Sequence, residues 1–268
     1  MYKQLFEIIG ELAINRGDSV MVASDIVKFW AEYRKMYKDF SLVALIGLLQ
    51  EKVGQEGTLI FPTYSWDFCH GKGFDSHRTA PFTGALGKQA LKMEGFRRTQ
   101  HPIYSFAVWG KDRDLLCAMQ NKSAFGPDSP FAYLHHHAKN LIIGVIFNHC
   151  FTFAHYVEEC CRVPYRYLKD FTDRYVDENG VESQRTYSML VRDLDLNVVN
   201  VPLIDDFMNS RALRQHLVYY GVDFKLVLFE EAYALIEEDI LYNRARNFVS
   251  YTGQEDETGE NNNGSDRG

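Results

Sequence analysis

Short apolar runs alternate with segments of helical spacing through the first 160 residues, and few architectures accept that rhythm. Ser19–Ala23 (SVMVA), Thr58–Phe61 (TLIF), Ser105–Trp109 (SFAVW) and Leu141–Gly144 (LIIG) are short enough to be strands buried on both faces. Tyr2–Asn15 carries Leu5, Ile8, Ile9 and Leu12 at helical intervals, and Leu42–Val53 is helical up to its stop at Gly54. Gly84–Met93 and Phe151–Cys161 also read as helices. This alternation predicts an α/β/α sandwich around a mixed, mainly buried central sheet, with residues 1–164 as its core.

From residue 165 the rhythm breaks. Tyr165–Val176 and Val181–Arg192 flank Glu178-Asn179-Gly180, and Asn-Gly between strand-like runs signals a hairpin. Residues 165–215 are therefore expected to be a small antiparallel insertion or lid. Residues 216–253 return to the core through Asp223–Leu228 (DFKLVL) and a final helix over Phe229–Asn243. Residues 254–268 lack apolar anchors and are expected to form a mobile acidic tail.

Charge narrows the function classes. The net charge is -7, but the tail holds five acids and one base, so the body lies within three charges of neutral. A near-neutral body lacks the clustered Lys and Arg that nucleic acid requires. No run of about 18 apolar residues suggests a membrane span, and the amphipathic start does not resemble a signal peptide. The expectation is a cytoplasmic protein. Its five cysteines, Cys69, Cys117, Cys150, Cys160 and Cys161, follow no framework spacing and read as reduced thiols.

The richest segment is Gly144–Glu159 (GVIFNHCFTFAHYVEE), where a strand hands over to a helix. Thr152, His155 and Glu158 are spaced three apart, which puts them on one helical face at the end of the sheet, where open α/β folds collect ligands. A helix N-terminus disfavours an imidazolium, so His155 suits a general base. Glu158 could orient its other nitrogen, and Thr152 with backbone N–H groups at the helix start could hold an oxyanion. The same spacing also fits a capping threonine, a satisfied histidine and a surface glutamate.

Other chemistries stay open. His149, Cys150, His155, Cys160 and Cys161 lie close in sequence, but without a C-x2-C or H-x3-H pair. A Cys–His nucleophile pair is a further alternative, as is a buried, inert thiol. His135-His136-His137 reads as a loop face. Neither G-x-G-x-x-G nor a Walker pattern occurs. The long loop Pro62–Arg78 offers Tyr64 and Trp66 for stacking, and Asp67 and Asp75 as carboxylates toward a substrate, or else plugs the sheet end.

Five blocks in order, Glu56–Thr63 (EGTLIFPT), Phe74-Asp75, Arg98–Gly110 (RTQHPIYSFAVWG), Phe125–Leu134 (FGPDSPFAYL) and Thr152–Glu158 (TFAHYVE), resemble the aminoglycoside 3-N-acetyltransferase family. The resemblance implies an acyl-coenzyme A cosubstrate, no metal, and an amino-sugar acceptor. It implies His155 as the catalytic histidine, Glu158 as its partner and Thr152 as the third member of the motif. It places Val20–Ile26 (VMVASDI) near coenzyme A, with Ala23 and Asp25 standing where the family has His and Ser. Ser24, Asp25 and Thr63 are then the expected cofactor contacts. The departure leaves the acyl chain open.

The acceptor loop mixes Asp67 and Asp75 with His70, Lys72, His77 and Arg78, which suits a phosphorylated acceptor better than a polycation. The expected reaction is therefore N-acylation of a nucleotide-linked (dTDP) 3-amino-3,6-dideoxyhexose for surface polysaccharide. Acetylation of a free aminoglycoside is the alternative, and a non-catalytic binding protein is a reading of another class. Small-molecule substrates are the expected partners, and a homodimer stays open.

Overall fold

The computed structural model describes residues 2–196, 198–200 and 204–251; the acidic tail lies outside the described residues. In chain order the elements are α1 (Lys3–Glu11), β1 (Ser19–Ser24), α2 (Ile26–Met36), α3 (Leu42–Val53), β2 (Thr58–Pro62), β3 (Phe74–Asp75), α4 (Ala85–Ala90), β4 (Arg97–Arg98) and β5 (Phe106–Gly110). There follow α5 (Arg113–Ala118), α6 (Pro130–His137), β6 (Ala138–Ile143), α7 (Phe147–Cys150), α8 (Phe153–Cys160), β7 (Arg166–Val176) and β8 (Glu182–Arg192). The chain closes with β9 (Val198–Asn200), α9 (Ile204–Arg211), β10 (Leu213–Tyr219), β11 (Val222–Leu228), α10 (Phe229–Asn243) and β12 (Val249–Tyr251).

Seven strands form the central sheet in the order β10-β11-β6-β1-β2-β5-β4. Its centre, β6-β1-β2, is parallel, and the strands on either side pair antiparallel. Side chains alternate faces along a strand. Val20 and Val22 of β1 pack with Leu5, Phe29 and Leu49 of α1, α2 and α3. Met21 and Ala23 pack on the opposite face with Leu134, Val157 and Ile236 of α6, α8 and α10. Both faces being covered, the sheet is the mixed, mainly buried centre of an α/β/α sandwich. No helix among the described residues is long and apolar enough to cross a membrane.

The hairpin forms over the predicted segment. β7 and β8 pair through eleven residues each, from Arg166↔Arg192 to Val176↔Glu182, and β3 adds a parallel edge. Its turn is held by Asp177, whose Oδ1 accepts from the N–H groups of Asn179 and Val181. Tyr175 and Tyr187 anchor the hairpin into the core that holds α6 and α8.

Several boundaries differ from expectation. α1 stops at Glu11, because the N–H of Leu12 turns to Ile9 O and the chain extends toward β1. α4 is confined to Ala85–Ala90, where Gly87 lies so close to β2 that a Cβ would meet Pro62 O at 2.3 Å. The three histidines at 135–137 end α6 rather than forming a loop; Ser129 caps that helix and Pro130 opens it. α2 has no counterpart in the prediction, although Asp25 caps it and Ile26, Phe29 and Tyr33 form its buried stripe.

Candidate active site

The parallel strands β1, β2 and β6 end together, and the chain leaves each of them over one cavity of about 350 Å³. β1 supplies Val22, Ala23 and Ser24 to its wall, and β2 supplies Pro62 followed by Tyr64 and Trp66. Thr83, Gly84 and Gly87 come from the start of α4, and Tyr104 from the approach to β5. The segment after β6 contributes Val145, His149, Cys150, Thr152 and His155. No carboxylate stands among the lining residues.

Gly144 makes the last contribution possible. Its φ is +67°, and a Cβ would stand 2.6 Å from Asp25 O, so only glycine turns β6 sharply enough into α7. Asp205 of α9 then fixes the start of α7, its carboxylate accepting from the N–H groups of Phe147 and Asn148 at 2.7 and 3.2 Å. Two residues on, α8 begins and carries His155 inward.

His155 and Glu158 meet as their spacing predicts. His155 Nδ1 lies 2.6 Å from Glu158 Oε2. A carboxylate only accepts, so Nδ1 carries the proton of this contact, and in the neutral ring Nε2 is the basic nitrogen. The His155 side chain is 27% exposed and that of Glu158 3%. Phe125 sets its ring edge against the imidazole at 5.7 Å, restricting rotation. Burial by itself would raise the Glu158 carboxyl. His155 and the Arg166 guanidinium, whose Nε is 2.7 Å from the same Oε2, outweigh it and hold the carboxyl below the usual range. Glu158 is therefore no surface residue.

Thr152 stands beside this pair. Its side chain makes no helix-capping bond, and it lines the cavity together with Tyr64. Two backbone amides at the helix start are committed. The N–H of Ala154 donates to Phe151 O and that of His155 to Thr152 O, both at 3.0 Å. Oxyanion binding by those two amides would break the first turn of α8.

The remaining predicted residues divide. Tyr64, Trp66 and Ser24 line the cavity. Asp67 lies on an outer shelf with Trp66, Lys72 and Phe82, where Lys72 Nζ donates to its Oδ1 at 3.2 Å. Asp25 caps α2 through Val27 N–H. Thr63 is fully buried, its hydroxyl on Ser105 and its carbonyl held by Arg98, so it faces away from the cavity. Asp75 closes a turn by accepting from the N–H groups of His77 and Arg78, also away from the cavity. Arg166 and Tyr104 join the site without having been singled out. Arg166 reaches Glu158 of α8 from the first residue of β7, and no helical or strand spacing announces such a contact.

The thiols do not suit nucleophilic work. Burial raises Cys150, which lines the cavity, to about 12, and Cys161 to about 11. At neutral pH both are thiols, not thiolates. Among the described residues no group of three or more His, Cys, Asp or Glu side chains could hold a metal ion.

Comparison with known proteins agrees with this arrangement. A family model described as aminoglycoside 3-N-acetyltransferase matches residues 30–237. A Bacillus subtilis relative, the SPbeta prophage-derived aminoglycoside N(3')-acetyltransferase-like protein YokD, is 25% identical over 192 residues, 61% of this chain and 66% of its own length. The chain thus aligns with just under two thirds of that relative. The YokD crystal structure superposes with a TM-score of 0.71 at 19% identity, covering 89% of this chain and 97% of that one. Aminoglycoside acetyltransferase AAC(3)-Xa gives 0.73 at 19% identity, over 88% and 91%. AAC-IIIb, solved as a binary with CoASH, gives 0.72 at 18% identity, over 91% and 97%. At these identities the superpositions establish the fold.

Proposed function

The chain belongs to the aminoglycoside 3-N-acetyltransferase family, and on that premise we propose that it transfers an acyl group from acyl-coenzyme A to an amine of an amino sugar. The observation that carries this reading is the His155–Glu158 pair at 2.6 Å on the wall of the cavity. An alkylammonium is not a nucleophile. His155 Nε2 takes one of its protons, directly or through a water, and Glu158 stabilises the imidazolium that results. The free amine attacks the thioester carbonyl. The tetrahedral intermediate loses the second ammonium proton to solvent and collapses, the C–S bond breaks, and the departing thiolate takes the proton that His155 returns. Thr152 is the hydroxyl placed to donate to the developing oxyanion. Much of the acceleration comes from holding donor and acceptor side by side.

Ser24, Tyr64 and the other uncharged walls of the cavity suit the neutral thioester arm of the donor, a role supported by the CoASH-bound relative. Trp66, Phe82 and Asp67 on the adjoining shelf suit the acceptor. Asp25 and Thr63 carry structural bonds instead.

The acceptor is better read as an aminoglycoside-type sugar than as the nucleotide-linked sugar suggested by the loop's charges. Three of those four bases are engaged, Lys72 on Asp67, His70 on Trp66 O and His77 on Glu178 O, while Arg78 stands exposed, 3.9 Å from Asp75. They leave no ready cluster for a diphosphate. The family match points the same way. Free-thiol release from acetyl-coenzyme A, measured with aminoglycosides and with dTDP-linked amino sugars, tests the proposal. Turnover with aminoglycosides is expected. Turnover only with nucleotide sugars would reject the acceptor assignment, and release with neither would favour a non-catalytic binding protein.

A further inference from the structure

The Glu158 carboxylate serves an imidazole and a guanidinium through one oxygen. Oε2 is 2.6 Å from His155 Nδ1 and 2.7 Å from Arg166 Nε. Glu158 and Arg166 are sealed in, with side chains 3% and 5% exposed. A buried ion pair of this kind is a poor device for stability, because desolvating both charges offsets most of their attraction. Its place in the molecule suggests another use. Arg166 is the first residue of β7, so the hairpin sheet supplies the guanidinium while the central sandwich supplies the carboxylate and the imidazole. A second cavity of about 100 Å³ lies on the far side of α7 and is walled by Glu158 and Arg166. It shares His149, Cys150, Thr152 and His155 with the larger cavity, so the imidazole borders both.

An ionised carboxylate alone against Nδ1 would favour the imidazolium and leave no base at neutral pH. A cation on the same oxygen counteracts that pull. We infer that Arg166 is a positioning residue for acyl transfer: its guanidinium anchors the Glu158 carboxylate and offsets its charge, so that Glu158 orients His155 without keeping a proton on it. The inference rests on the proposed role of His155 as the base. The other polar groups around the imidazole weigh less on it. His149 and Cys150 come from α7, Thr152 from the start of α8, Tyr64 and Tyr104 from the loops at β2 and β5. Burial raises the Cys150 thiol and both phenols, so all three are neutral over the working range. Asp205 and Lys225 act on the same region with opposite signs.

The test compares Arg166→Gln and Arg166→Lys with the parent in two ways. In the free protein, the ring C–H resonance of His155, assigned by its loss in His155→Asn, is followed against pH. Removing the charge is expected to raise the midpoint by about one pH unit, in line with loss of a neighbouring charge. Lysine keeps the charge but not the planar donor, so its rise should be smaller. In turnover, the acid limb of kcat/KM should move up in the same order, with the high-pH plateau kept within about threefold. A limb and resonance that stay in place, or a loss of rate equal at every pH, would overturn the inference. Should Arg166→Gln fail to fold, Arg166→Met, which also removes the charge on an unbranched side chain, takes its place, and an unmoved midpoint there sinks the claim. The NMR arm needs no acyl transfer. A moved resonance in a protein without thiol release would reject the enzymatic reading while keeping the clamp.

Discussion

Two side chains meeting in one wall, His155 and Cys150, offer competing chemistries, and the structure separates them by protonation state. The imidazole is oriented by a carboxylate held below its usual range, whereas burial pushes the Cys150 thiol up to about 12. His155→Asn is therefore expected to lower kcat/KM for acyl transfer by about 10²–10⁴-fold, the range of general-base removal. Coenzyme A binding by calorimetry should stay within about threefold of the parent, since the cavity wall is otherwise intact. Cys150→Ala should leave kcat/KM within about threefold; a hundredfold loss would return the cysteine to the mechanism. The T-x-x-H-x-x-E spacing made this trio legible, because residues three apart on a helix share a face. Arg166 was not legible, because its contact with Glu158 joins a hairpin strand to helix α8 and depends on where the hairpin docks.

The elements that build the site are short and depend on tight backbone passages. Gly144 takes β6 into α7 at φ +67° against Asp25 O, and α7 is only four residues long. Gly144→Ala combines a left-handed cost of about 1–2 kcal/mol with a carbonyl clash, so a loss of more than about 2 kcal/mol is expected in urea unfolding. An unchanged midpoint would mean that the loop adjusts freely. Runs such as Ser19–Ala23 and Leu42–Val53 could be read as elements because their periodicity is strong and their neighbours punctuate them. α7 escapes such reading because a single turn leaves no period to detect. Thr63 and Asp75 show the same limit. Both sit in segments that resemble the family's, yet Thr63 turns to Ser105 and Asp75 to its own turn.

For the molecule as a whole, acid should be the weak side. His101 is buried, its Nδ1 accepting from Tyr104 N–H and its ring against Tyr187, and burial lowers it to about 3. The unfolded chain takes up that proton below about pH 6.5 and the folded protein does not. Stability is therefore intact above pH 6.5 and falls as pH drops toward 3, by roughly 3–5 kcal/mol from this residue alone. Urea midpoints between pH 7 and 4 should fall steeply in the parent and less steeply in His101→Gln; equal slopes would contradict this. At this scale, sequence alone determined the sandwich, the hairpin and the histidine–glutamate pair, because each follows from local period, turn chemistry or helical spacing. Tertiary structure alone decided which carboxylates reach the cavity, which bases are already engaged, and that a hairpin arginine closes on Glu158. Those contacts are set by how the hairpin, the loops and the layers dock, not by period or spacing within any one element; Arg166 follows Glu158 closely in the chain, yet no helical or strand spacing relates the two.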